Sequence, residues 1–258
     1  AEFSNRDAFV FTDGSGTNRY PIRAATDGAA VATPLTAAEV RAVLEEAFTI
    51  MSRARAQIRR PLDSRAQVSI SVVDTFGSPL GMVRSPDAPI FGSDVSLQKA
   101  RTAAFFSNPN AGAELSANAS ADIRQFVTAT RTFLNNPAAL TGTIAFPDRA
   151  GGNLSRPYFP DGEVGRPNGP LSRPIAQFNP FSTGLQSALV IGNIGQHVGF
   201  LQGANPDTPA RCTTLPDVAP GQNRLQNGIQ IFPGSVPIYR GSTLVGAIGV
   251  SGDGIDQD

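Results

Sequence analysis

Apolar positions along the chain fall into three regimes. Between Thr36 and about Ile58 they recur at helical spacing: Val40, Val43, Leu44, Ala47, Ile50 and Met51. Thr36 stands three residues before Glu39, the pattern of a capping box, so a helix is predicted from about Ala37 to Ile58, stopping before Pro61. Val68, Ile70, Val72 and Val73 form a β-branched run that ends at Asp74-Thr75-Phe76-Gly77, and residues 79–84 can return as the second strand of a hairpin. Ser93 is placed to cap a second helix through Val95, Leu97, Ala100, Ala103 and Phe106. Near the far end, residues 234–239 and 243–250 read as two strands joined by Arg240-Gly241-Ser242.

The middle behaves differently. Ile123, Phe126, Val127, Phe133 and Leu134 fit one helix, and Leu189, Val190, Ile194, Val198 and Leu201 fit another, weakened by Gly192, Gly195 and Gly199. Between them runs a stretch rich in Pro, Gly, Asn and Arg. A coil this long inside a compact domain points to function or assembly. Residues 1–34 alternate apolar and turn residues and read as an extended arm, with one strand near Phe9–Phe11. The expected organisation is an arm at 1–34 and a single domain at 35–258, interrupted by a coil-rich insertion at about 108–231.

Composition narrows the function classes. The 258 residues carry 21 basic and 21 acidic side chains, so a broad electrostatic footprint for nucleic acid is not supported. No apolar run reaches the roughly 18 residues of a transmembrane helix. The 26 glycines and 21 prolines indicate ordered but irregular backbone. Cys212 is the single cysteine, so no internal disulfide forms and no Cys/His zinc cluster is readable; it is expected as a free thiol or in an intermolecular bond. The Ala-Glu-Phe start suits a mature end after signal cleavage, which sets the expectation of an exported protein, extracellular or periplasmic.

Several short motifs in order carry a resemblance. Ser69-Ile70-Ser71-Val72-Val73-Asp74 with Gly77, then Arg84, Asp87 and Ala88, then Ser93 with Lys99-Ala100-Arg101-Thr102-Ala103 resemble the first half of the GlcG/HbpS-type, haem-binding-like family (DUF336-like). Pro237-Ile238-Tyr239 and Val245-Gly246-Ala247-Ile248-Gly249-Val250-Ser251-Gly252 resemble its closing hairpin, and Gln257-Asp258 the acidic start of its last helix. The resemblance covers about 35–107 and 232–258. It implies an α/β (α+β) fold, a profilin-like five-stranded antiparallel sheet flanked by helices. It also implies a homo-oligomer and a haem or related tetrapyrrole ligand. Three departures stand out: the long insertion, Phe232-Pro233-Gly234 in place of a Gly-Gly, and a last helix with room only to begin near Asp253.

Haem iron takes a donor such as His, Cys, Met or Tyr. His197, the only histidine, lies in Gly195-Gln196-His197-Val198-Gly199, outside the matched motifs, and is the candidate axial ligand; a partly exposed helix histidine is the alternative. Tyr239 is a second candidate, or else a packed aromatic. Met51 and Met82 read as core. Arg84 and Lys99 are candidates for holding propionates or another anion, the alternative being ion pairs with Asp87 or Asp74. Ser93 and Thr102 are candidate hydrogen-bond donors to the same ligand, with helix capping or back-bonding as the other reading. Arg53, Arg55, Arg59 and Arg60 read as a solvated helix end. No nucleophile–base pairing is readable, and a non-enzymatic or weakly enzymatic binding module is expected. The other reading is a structural subunit that self-assembles into a filament or ring through the arm and the insertion.

Overall fold

The computed structural model describes residues 2–179 and 183–253. Four antiparallel strands, β1 (Val68–Val73), β2 (Pro79–Arg84), β3 (Ser235–Arg240) and β4 (Thr243–Gly252), form a sheet in the order β2-β1-β4-β3. The two halves of the chain meet at β1 and β4, where Ile70 faces Val250 and Val72 faces Ile248. β1 is buried along its whole length because both faces of the sheet are covered, and Ser69 and Ser71 are buried as fully as the β-branched residues they alternate with. Val68, Ile70 and Val72 join one core cluster, while Ser71 and Val73 face the other side.

The helix α1 (Ala37–Met51) covers the first face with Val40, Leu44, Phe48 and Met51. Full burial of side chains of this size contributes about 1.5–3 kcal/mol each. Both capping-box bonds between Thr36 and Glu39 are present. The helix ends at Met51, seven residues before the expected Ile58. Beyond Met51 no further apolar stripe exists to bury. The chain instead tightens into turns and pairs Arg55 with Arg65 in an isolated bridge, leaving Ile58 exposed. Arg53, Arg55 and Arg60 are exposed, as expected of a solvated arginine end, but Arg59 departs from it, turning back to pair with Asp87, at 2.5 Å, and with Asp253.

On the other face lies α2 (Gly92–Phe106), whose Ala100, Ala103 and Ala104 are buried. The helix sits against the sheet backbone itself. A Cβ on Gly249 would run into the carbonyl of Ser96 and the amide of Ala100. The small residues on both sides are what allow this approach. Ser93 does not cap α2: the cap position is Phe91, and Ser93 Oγ donates to Ile90 O at 2.8 Å.

A fifth strand was expected, and the sheet has four among the described residues. The outer edge of β2 is covered instead by the N-terminal arm. Phe9 and Arg84 exchange two backbone bonds of 2.8 and 3.0 Å, and Arg23 N–H reaches Leu80 O at 2.9 Å. Covering an edge in this way removes a template for unwanted pairing. The arm is tied down by a reciprocal clamp. Asp74 accepts from the amide and hydroxyl of Thr26, and Asp27 accepts from the amide and hydroxyl of Thr75, all between 2.7 and 2.9 Å. Phe3 and Val31 of the arm enter the α1-side core.

The insertion is more structured than a coil. It contains α3 (Ala111–Ser116), α4 (Ala121–Phe133), α5 (Asp148–Leu154) and α6 (Gly184–Leu201), around a hydrophobic cluster of its own that begins at Phe105 and Phe106 of α2. The two helices read from periodicity, near 123–134 and 185–201, are α4 and α6. α6 buries Leu185, Ala188 and Leu189 and then leaves the core; Ile191, Ile194 and Leu201 are 60%, 52% and 70% exposed. No helix among the described residues is long and apolar enough to cross a membrane. The expected last helix, with Gln257-Asp258, lies outside the described residues.

Candidate functional site

One side of α6 forms the wall of a groove. Gln186, Val190, Asn193, Ile194, His197 and Val198 follow helical spacing along it. The facing wall comes from the returning chain: Thr208, Arg211 and Cys212, then Asn227, Gly228 and Ile229, with Gln98 of α2 alongside. The cavity is about 420 Å³, within the roughly 300–1,000 Å³ usual for small-molecule sites.

Amides along α6 hold the facing wall in register. Gln186 Nε2 donates to Ile229 O at 2.9 Å, and Asn193 Nδ2 to Thr213 O at 2.9 Å and Arg211 O at 3.2 Å. Gln196 Nε2 reaches Pro206 O and Asp207 O, each at 3.2 Å. From α2, Gln98 Nε2 donates to Asn227 O at 2.6 Å. The groove is therefore built by side chain–backbone bonds and left apolar along Val190, Ile194, Val198 and Ile229.

His197 Nδ1 lies 2.8 Å from Asp207 Oδ1. The bond to His197 holds the Asp207 carboxyl below its ordinary range, so the group is a carboxylate that only accepts. Nδ1 therefore carries the proton, and in the neutral ring the lone pair is on Nε2. A carboxylate behind the ring in this way orients a histidine for metal ligation. Arg211 pairs with Asp217 through Nη1, while its Nε is buried without a partner. An unmet guanidinium N–H beside an apolar groove suits a ligand carboxylate. Burial pushes the Cys212 thiol up, with the Asp94 charge adding to it, so the group stays a neutral thiol at neutral pH.

These features pass a physical test for a tetrapyrrole: apolar walls, one oriented nitrogen donor and one unsatisfied cationic donor. Among the described residues no group of three or more His, Cys, Asp or Glu side chains converges on a bare metal ion.

The other residues singled out in the sequence do not line this groove. Lys99 is buried in α2; its Nζ donates to Val250 O at 2.9 Å, and its charge pulls on the buried Asp148. Thr102 back-bonds to Gln98 O at 2.7 Å and accepts from Gln230 N–H at 2.9 Å. The chain returning at 227–231 thus lies over the polar side of α2. Arg84 pairs with neither Asp87 nor Asp74; it donates to Ala88 O and stacks over Phe11, 4.9 Å from the ring centre. Ser93 sits at the start of α2, and Tyr239 is half-buried on the edge strand β3 opposite Leu244. Of the six candidates, only His197 faces the cavity. Asp207, Gln98 and Asn193 were not visible as site residues. Arg211 was not visible as one either.

Solved structures similar to the chain include the following two. The crystal structure of a PduOC:haem complex is 17% identical, covering 74% of this chain and 70% of that one with a TM-score of 0.29. That of the Klebsiella pneumoniae protein ORFY, of family DUF336, is 16% identical, covering 96% and 88% with a TM-score of 0.31. Neither overlap is close enough to transfer a ligand or the part any residue plays. No curated protein matches the chain. The model of the family described as haem degrading protein HbpS-like matches residues 43–149 and 195–258, so the second matched segment takes in His197, Asp207, Arg211 and Cys212. With both halves of the sheet and most of the facing wall inside those matches, the chain belongs to the HbpS-like family.

Proposed function

We propose that this protein is a binding module for haem or a related tetrapyrrole, held in the groove between α6 and the returning chain. The observation that carries the reading is the His197–Asp207 pair at 2.8 Å on the wall of an apolar cavity, inside the segment matched by a haem-related family. His197 Nε2 would hold the iron, and Arg211 would take a propionate. Haem would supply a ligation site for a small axial molecule and a redox-active centre. The chain's own part is to orient the imidazole, exclude water along Val190, Ile194 and Val198, and neutralise a carboxylate. Action outside the cytoplasm and as a homo-oligomer belongs to the same proposal. Haemin titration of the purified protein, followed at the Soret band, tests it: saturable binding that weakens in His197→Ala supports the reading, and an unchanged spectrum in both overturns it.

A second reading, a self-assembling subunit, is favoured by one observation. The outer half of α6 carries no charged residue and exposes Ile191, Ile194, Val198 and Leu201. Such a face marks a protein contact. Light scattering on wild type and on Ile191→Glu/Leu201→Glu decides: a larger particle that falls to a monomer supports it, and monomers throughout reject it.

A further inference from the structure

A second cavity, of about 510 Å³, lies on the other side of the insertion's core, between the end of α2, the end of α4, and α5. Its apolar lining includes Phe106, Leu134, Leu140, Phe146 and Phe159, with Ile144 open to solvent at the mouth. Phe159 is braced edge-on against Phe133, ring centres 4.9 Å apart. The charged residues of the lining are Arg149 and Arg156, on α5 and just past its end, with Asn153 between them. Among the described residues no Asp or Glu lines the cavity.

An apolar pocket whose charges are both cationic selects an apolar anion. Arg156 donates through Nη1 to Pro160 O at 2.5 Å, which fixes the side chain while its guanidinium has further N–H groups to offer. The lining holds no His, Cys, Met or Tyr, so it presents no haem-iron donor. That separates it chemically from the α6 groove. Its far wall, Ala150, Asn153, Leu154, Arg156, Phe159 and Pro160, lies outside the family match, which breaks between 149 and 195.

We propose that this cavity binds a long-chain carboxylate of the fatty-acid class, its tail among Phe106, Phe146 and Phe159 and its carboxylate at Arg156. A surface mouth with exposed Ile144 and Ala145 gives the tail an entry path.

The test uses the full chain and cis-parinarate fluorescence, with laurate and the uncharged dodecanol as competitors. Saturable binding is expected, with laurate displacing the probe at least about ten-fold better than dodecanol, the factor a charge-assisted hydrogen bond supplies. Arg156→Gln should weaken laurate by a similar factor. Ala145→Trp, at an exposed position where added bulk leaves the core untouched, should block the mouth. His197→Ala should bind as wild type. Absence of saturable binding, equal competition by laurate and dodecanol, or full binding by both cavity variants would overturn the proposal. Loss of binding in His197→Ala would overturn it too, by moving the probe to the α6 groove.

Discussion

His197 and Asp207 stand ten residues apart and meet across the turn after α6, with Nδ1 2.8 Å from Oδ1. The carboxylate fixes both the ring's proton and its direction, so it should matter for ligand affinity even though it touches no ligand. Asp207→Ala is expected to weaken haemin binding about 10–100-fold, the usual cost of losing the partner behind a ligating histidine. Because both side chains are nearly half exposed, thermal stability should hardly change. Titration of the variant beside a melting curve separates the two; equal affinity would show that the pair is a surface contact alone.

A buried acid gives a pH signature. Asp148 accepts from Ser235 N–H at 3.0 Å, and its Oδ2 is buried without a partner. Burial pushes its carboxyl up to about 6 from 3.8, with Ser235 and Lys99 drawing it partly back. Between these values the unfolded chain has lost the proton that the folded protein keeps. Stability from this group is therefore full below about pH 4, falls as pH rises through 6, and is flat above, a total of about 3 kcal/mol. In Asp148→Asn that fall should be absent, so the difference between variant and wild type should itself change by about 3 kcal/mol across this window. Denaturant melts across about pH 4 to 7 measure it; parallel curves would contradict the assignment.

The close seat of α2 predicts a large effect from a small change. Gly249→Ala places a methyl against the Ser96 carbonyl and the Ala100 amide, both backbone atoms that cannot step aside. A loss of about 3 kcal/mol is expected, at the upper end for overpacking. Gly195→Ala, which meets nothing within contact distance on the exposed side of α6, should instead be neutral or stabilising through its better helix propensity. Chemical denaturation of the pair checks this ordering, and equal effects would refute it.

Much of the frame was legible in the residues because its causes are local. The Thr36–Glu39 box, the β-branched run of β1 and the glycine-spaced closing hairpin each specify their own element, and α4 and α6 follow from apolar spacing. The errors came where a distant segment decides. Phe9 and Phe11 looked like a strand, yet Phe9 makes a single bridge on β2 because the arm is held by Thr26 and Asp27 further along. Lys99 looked like an open ligand donor on a helix, and its bond to Val250 O of β4 depends on the far end of the chain; Thr102 back-bonds, the other reading of its sequence, and the return of 227–231 over α2 adds the Gln230 amide. His197 could be named as the one imidazole. Its carboxylate partner could not, because the meeting depends on how the chain turns at Gly203.

The most direct test of the central claim is imidazole rescue of a cavity variant. Ferric haemin is added to wild type and to His197→Gly, each with and without free imidazole, and the axial ligand is followed by absorption and electron paramagnetic resonance. The expected result is a nitrogen-ligated spectrum in wild type, its loss in His197→Gly, and its return when imidazole fills the vacated position. A wild-type spectrum that survives in His197→Gly without imidazole would contradict ligation by His197 and remove the α6 groove as the haem site.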